Sequence, residues 1–176
     1  MSDCLFPEDI KSIRKSLKLS QKRFAQLLCV SLQTISRWEQ GKKEITGPAV
    51  TLCRILALRP GIAQELAVPV QETPVRLMYY KNHILCTVID VDDRLRKVVV
   101  KNYTERMEDC AFGVVPDPSY EQYRQFLASR CFPPERDKIK IELKKLNIPF
   151  YDPFMIIEKT EGRVEGDPYR IEVIRI

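Results

Sequence analysis

One histidine, His83, stands in the whole sequence, and that scarcity removes much of the usual acid–base chemistry. It lies three residues from Cys86 on a run expected to form a strand, so the two side chains should face opposite ways and form no dyad. Glycine is also sparse. Gly162 and Gly166 fall in Glu161–Asp167 without the spacing of a phosphate-cradling loop, and they read as a turn. The six cysteines, Cys4, Cys29, Cys53, Cys86, Cys110 and Cys131, include no C-x-x-C pair. They are expected to be free thiols in a reducing cytoplasm, with no zinc or other metal and no cofactor. No apolar stretch reaches the roughly 20 residues needed to span a membrane. The opening Met1–Asp9 lacks a basic segment followed by an apolar run, so no signal peptide is expected. There is no internal repeat, and no nucleophile with an orienting base can be assembled, so a non-enzyme is expected.

What the chain does have is a localised charge. Its net +5 resolves into 11 Lys+Arg against 6 Asp+Glu in residues 1–68, and 18 against 18 in residues 69–176. The positive excess therefore belongs to the first part, as suits a segment that meets a polyanion. A seam follows at 67–75, where Pro69 and Pro74 bracket a short polar stretch. The expected organisation is a basic N-terminal domain over 1–68, a linker over 69–75 and an α+β domain over 76–176.

Helical patterning fills the first part. Ile10, Ile13, Leu17 and Leu19 mark the inner face of a first helix. Ser20 sits where an N-cap belongs before a second helix, Gln21–Leu28, and Ser31 caps a third, Leu32–Gln40. Cys29-Val30 forms the tight turn between them, and Gly41 is expected to stop the third helix in a left-handed conformation. Gly47-Pro48 restarts a helix to Leu56, and Arg59-Pro60-Gly61 breaks the chain before a fifth, Ile62–Leu66. In the third helix Ile35 and Trp38 point inward, leaving Leu32, Gln33, Ser36 and Arg37 outside. Two short helices joined by a tight turn, with small Ala25 allowing close approach, can set the second in a DNA major groove.

The string Leu19–Lys43 closely resembles the Cro/repressor-type (XRE) helix-turn-helix family. The matching elements are Ser20-Gln21, Ala25, Val30-Ser31, Thr34-Ile-Ser-Arg37 and Glu39-Gln-Gly-Lys42. The continuation Gly47–Leu56 is similar to regulators of the MqsA and HigA antitoxin type, and the likeness covers roughly residues 8–66. Cys29 departs from it, standing where the family has a turn glycine. Unlike MqsA-type proteins, the chain has no cysteine pairs for a zinc module. The resemblance implies that Gln33 and Arg37 read bases, Arg37 gripping guanine O6 and N7 and Gln33 adenine N6 and N7. It implies that Leu32 meets a thymine methyl, and that Gln21 contacts phosphate or braces a recognition side chain. Ser31, Thr34, Lys42 and Lys43 suit phosphates, which set register without reading sequence.

From Val75 the pattern changes to β-branched and aromatic runs. Strands are expected at Val75–Lys81, Ile84–Asp90, Leu95–Lys101 and Tyr169–Ile176. Asp117-Pro118 is expected to open a helix running to about Arg130, and Pro133-Pro134 another, Glu135–Leu146. Asp90, Asp92 and Asp93 read as a charged hairpin tip rather than a cation site. The fold class is thus α+β: a five-helix helix-turn-helix domain followed by an α+β domain with an antiparallel sheet. The stretch from Arg130-Cys-Phe-Pro133 through Arg136-Asp-Lys138 and on to Tyr151–Arg163 is similar to small proteins encoded beside HipA-like kinases, a likeness that covers about residues 75–176 and implies a toxin-contacting or accessory role; a plain dimerisation or ligand-sensing module fits the residues as well.

Three functions follow as expectations. The first is a homodimeric repressor binding double-stranded operator DNA. The second is an antitoxin that also holds a kinase-like toxin through residues 76–176. The third is a DNA-binding enzyme or sensor using the second half.

Overall fold

The computed structural model describes residues 4–176, and they form two compact units that divide between Val68 and Pro69. The first unit holds helices α1 (Pro7–Ser16), α2 (Gln21–Leu27), α3 (Leu32–Gln40), α4 (Pro48–Leu58) and α5 (Gly61–Leu66). The starts of α1 to α4 each have a local cause. Pro7 and Pro48 occupy first-turn positions, where a missing N–H costs nothing. The Asp9 carboxylate accepts from the Phe6 N–H at 2.9 Å. Ser20 and Ser31 accept from the N–H groups of Arg23 and Thr34 at 3.2 and 3.0 Å. Ile10, Phe24, Ala25, Leu28, Ile35, Val50, Cys53 and Leu56 bury together as one core, each large apolar side chain contributing about 1.5–3 kcal/mol.

Two strands in this unit have no counterpart in the sequence reading: β1 (Cys4–Leu5) pairs antiparallel with β2 (Ile45–Thr46). Two residues are too few to show a period of two, so no pattern signals them. Gly41 also differs from expectation. It is extended, at φ −73° and ψ −179°, not left-handed. A side chain there would place its Cβ 2.8 Å from the Arg37 carbonyl oxygen, so close approach, not handedness, requires glycine. In the turn between α2 and α3 it is Cys29 that is left-handed, at φ +54°. There a family glycine would spare the roughly 1–2 kcal/mol that an L side chain costs in that conformation.

The second unit is a four-stranded antiparallel sheet in the order β5 (Lys97–Asn102), β4 (Ile84–Asp92), β3 (Val75–Lys81), β6 (Tyr169–Arg175). Helices α6 (Tyr120–Ser129), α7 (Ile139–Lys145) and α8 (Pro153–Thr160) complete it. Val75, Leu77 and Tyr79 alternate onto one face of β3 and share a core with Ile89, Val91, Ile171, Tyr123, Phe126, Leu127 and Ile157. The Tyr79 and Phe126 rings meet edge to face at 5.5 Å. Leu143, Ile148 and Ile156 form a smaller cluster. The fold class is therefore α+β, with the helix-turn-helix region first and the antiparallel sheet after it.

Several boundaries are corrected. The cap of α6 is Ser119, not Asp117: its hydroxyl accepts from the Gln122 N–H while Gln122 reaches back to the Ser119 N–H, a reciprocal box that outcompetes the Asp-Pro start. The helix expected over Glu135–Leu146 is only Ile139–Lys145, because Lys138 at φ +62° breaks the preceding segment. β5 begins at Lys97, since the Asp92 carboxylate binds the Leu95 N–H and Arg96 turns left-handed. His83 lies in the β3–β4 turn beside left-handed Asn82, not on a strand. Asp90 is not at a hairpin tip. It is buried on β4 against Arg76, with Nε–Oδ1 and Nη2–Oδ2 both 2.6 Å. Among the described residues, no helix is long and apolar enough to cross a membrane.

Candidate nucleic-acid interface

The recognition helix of the sequence reading is α3, and its two sides have opposite characters. Ile35 is fully buried and Trp38 packs half-buried against the same core. On the other side Gln33, Arg37 and Gln40 are exposed, Leu32 is 49% exposed, and Thr34 and Ser36 are half-buried. Ser31, Gln33, Thr34, Ser36, Arg37 and Gln40 line one open concavity. Lys42 and Lys43 follow immediately, both exposed. Of the sequence-assigned residues, eight thus cluster on and just beyond α3.

The side chains of Gln33, Arg37, Gln40, Lys42 and Lys43 make no hydrogen bond or ion pair with another described residue. An exposed guanidinium and two exposed amides therefore keep their full donor capacity. Ser31 and Thr34 are differently placed. The Ser31 hydroxyl accepts from the Thr34 N–H, and the two hydroxyls lie 2.8 Å apart. They cap the helix while remaining at its exposed start.

Gln21, the ninth assigned residue, is set apart on α2 and half-buried. Its Nε2 donates to Glu39 Oε2 at 2.9 Å. That carboxylate is the anchor of α3. Arg14 Nε donates to Glu39 Oε1 at 2.5 Å and Arg14 Nη2 to Oε2 at 2.9 Å, while Nη1 binds the Leu19 carbonyl at 2.9 Å. The Glu39 side chain is 3% exposed. The Arg14 hydrogen bonds hold its carboxyl below the usual carboxylate range against the opposing push of burial, with Gln21 assisting. One buried acid therefore links α1, α2 and α3 and fixes the attitude of the exposed face. The sequence reading missed Arg14 and Glu39 as a pair. They are 25 residues apart, and no local spacing connects them.

Residues 10–53 match the family described as Helix-turn-helix. Over 61 residues, 35% of this chain, the sequence is 38% identical to Antitoxin HigA-2 of Vibrio cholerae serotype O1. The match covers 59% of that antitoxin, so the chain spans less than two thirds of its length. The capped α2–turn–α3 geometry, with buried Ile35 beneath an open polar face, agrees with that match, and residues 10–53 form a helix-turn-helix region.

Proposed function

We propose that the protein is a sequence-specific transcriptional repressor that reads operator DNA as a homodimer, with α3 in the major groove. The observation that carries this reading is the unpartnered polar face of a helix whose opposite face is pinned by Ile35 and by the Arg14–Glu39–Gln21 cluster. Free exposed donors on a rigid helix suit base edges, because the backbone that carries them is already ordered and only side-chain rotamers remain to be fixed on binding. Arg37 takes guanine O6 and N7, Gln33 takes adenine N6 and N7, and Leu32 meets a thymine methyl. Ser36 lies between the base readers. Ser31, Thr34, Lys42 and Lys43 bind phosphates and set register. The positive excess of residues 1–68 supplies the non-specific attraction. Two copies would address half-sites about 34–36 Å apart. Residues 1–68 form the DNA-binding domain, 69–75 join it to residues 76–176, and that second domain serves dimerisation, partner binding or sensing. The site of action is the bacterial cytoplasm.

Replacing Arg37 with alanine is expected to cost about 1–3 kcal/mol of operator affinity and to relax preference at one base pair per half-site. Selection from a random DNA library with the wild-type and Arg37→Ala chains reads both effects. An identical consensus at unchanged affinity would remove Arg37 from the recognition surface.

The similarity of the N-terminal region to a protein described as an antitoxin favours a second reading, in which the same DNA binding controls a toxin operon; the resemblance of residues 75–176 to proteins encoded beside HipA-like kinases would then make a kinase-like toxin the partner of that half. Co-expressing the full chain with the product of the adjacent gene tests it. Rescue of growth together with co-elution of the two proteins is the expected result. A harmless neighbour that elutes separately would eliminate the antitoxin reading and leave the repressor intact.

A further inference from the structure

Helix α4 lacks the charged outer side that a surface helix normally has. Val50, Cys53 and Leu56 point into the core of the first unit. On the opposite side Pro48, Thr51, Ile55 and Leu58 are exposed, Ile55 by 41% and Leu58 by 82%. Arg54 is the one charged residue of the helix. It is half-buried, and its Nη2 donates to the Cys4 carbonyl at 3.3 Å. No charge therefore falls within the outer row.

A helix without a polar side is ordinarily buried on both. The four outer residues also follow one another at intervals of three, four and three, the spacing with which a helix presents a row of side chains to a second helix. A scattered exposed leucine needs no explanation, but a complete uncharged row does.

The charges at the end of the row indicate what covers it. Leu58 is the most exposed of the four, and Arg59 follows it directly. Glu65 lies close by in sequence, on α5. Both are exposed, and neither makes an ion pair with another described residue. An apolar centre flanked by one unpaired cation and one unpaired anion is complementary to itself. Turned about a two-fold axis beside Leu58, each copy sets its Arg59 against the partner's Glu65. None of these residues lines the concavity of α3. A copy seated on α4 therefore leaves Gln33 and Arg37 open to DNA.

We propose that two copies of the chain associate through the outer side of α4, Leu58 against Leu58 about a two-fold axis and Arg59 against the partner's Glu65. The proposal rests on the homodimer of the repressor reading and names the surface that makes it. The eleven residues of α4 span only about 16 Å, so the interface is of the small, readily dissociating kind. A dissociation constant on the order of 10 μM is expected.

Sedimentation velocity of the full chain without DNA, from about 1 to 200 μM, provides the test. The wild type should show a monomer–dimer equilibrium across that range. Leu58→Asp should weaken it about tenfold or more. Its far-UV circular dichroism spectrum should stay that of the wild type, because the side chain is exposed in a single copy. Arg59→Glu and Glu65→Arg should each weaken association, and the two combined should recover most of it, which a partner other than this chain cannot produce. The proposal is overturned if the wild type stays monomeric throughout, if Leu58→Asp dimerises as the wild type does, or if the charge-swapped chain associates no better than either single variant. The library selection separates this outcome from the repressor reading. A palindromic consensus with Leu58→Asp still dimeric would remove this surface and leave the repressor standing; no consensus would remove the repressor and leave the dimer, read without DNA, untouched.

Discussion

Replacing Arg14 with alanine is expected to destabilise the first unit by about 3–5 kcal/mol, the range for removing one partner of a buried ion pair. The Glu39 side chain, 3% exposed, would keep only the Gln21 amide as a partner. The cost comes from stranding that charge in an environment that cannot solvate it, more than from the attraction lost. It follows that removing both charges should be far milder: Arg14→Met combined with Glu39→Leu is expected near neutral, since apolar replacement of a buried pair often is. Denaturant unfolding followed through Trp38 fluorescence measures both variants. Trp38 is the one tryptophan of the chain and neighbours Glu39 in α3. A loss below about 1 kcal/mol for Arg14→Ala would show that the pair behaves as an exposed one.

The same pair makes a pH prediction. The folded Glu39 carboxyl has a pKa depressed below its unfolded value of about 4.3. Its contribution is therefore complete above that value and is lost as pH falls through the depressed one. The wild-type first unit should weaken in acid, and the double apolar variant should lose that portion of the acid sensitivity.

Replacing Asp90 with alanine is expected to cost the second unit a similar 3–5 kcal/mol. The Arg76 guanidinium is spent on three oxygens: both of Asp90 at 2.6 Å and the Pro69 carbonyl at 2.8 Å. The two side chains are 6% and 12% exposed. Without Asp90 a cation remains buried with one carbonyl. The pair joins β3 to β4, where Arg76 and Asp90 lie directly opposite in register, and through Pro69 it ties the incoming chain to the sheet. Far-UV circular dichroism of the strand signal during urea unfolding should show an earlier transition. An unshifted midpoint would mean that the ion pair is redundant with the surrounding core. Asp90→Asn should cost less, because the amide oxygen still accepts one of the two bonds.

Much of the first unit was legible because its determinants are local. A serine cap, a proline at a first turn and apolar residues three and four apart all act within one helical turn. Ser20, Ser31 and Pro48 accordingly mark the observed starts of α2, α3 and α4. The outer face of α3 followed from the same periodicity once Ile35 and Trp38 were placed inside. Errors arose where two local signals competed. Asp117-Pro118 and Ser119-x-x-Gln122 both announce a helix start, and the reciprocal box prevailed. At Gly41 the residue type was informative and its reason was not, because a close approach to the Arg37 carbonyl exists only after the chain has turned.

By itself, then, the sequence determined the helix-turn-helix, its inward and outward faces and the concentration of positive charge in residues 1–68. These depend on residue identity and on short-range geometry. Only the tertiary structure decided which charges would be buried and beside what. Glu39 meets an arginine 25 residues earlier, Asp90 leaves the hairpin tip for the interior, and Tyr123 places its hydroxyl in the core with no partner. Burial and pairing depend on which distant segments pack together. That is a property of the whole core, and no window of neighbouring residues contains it.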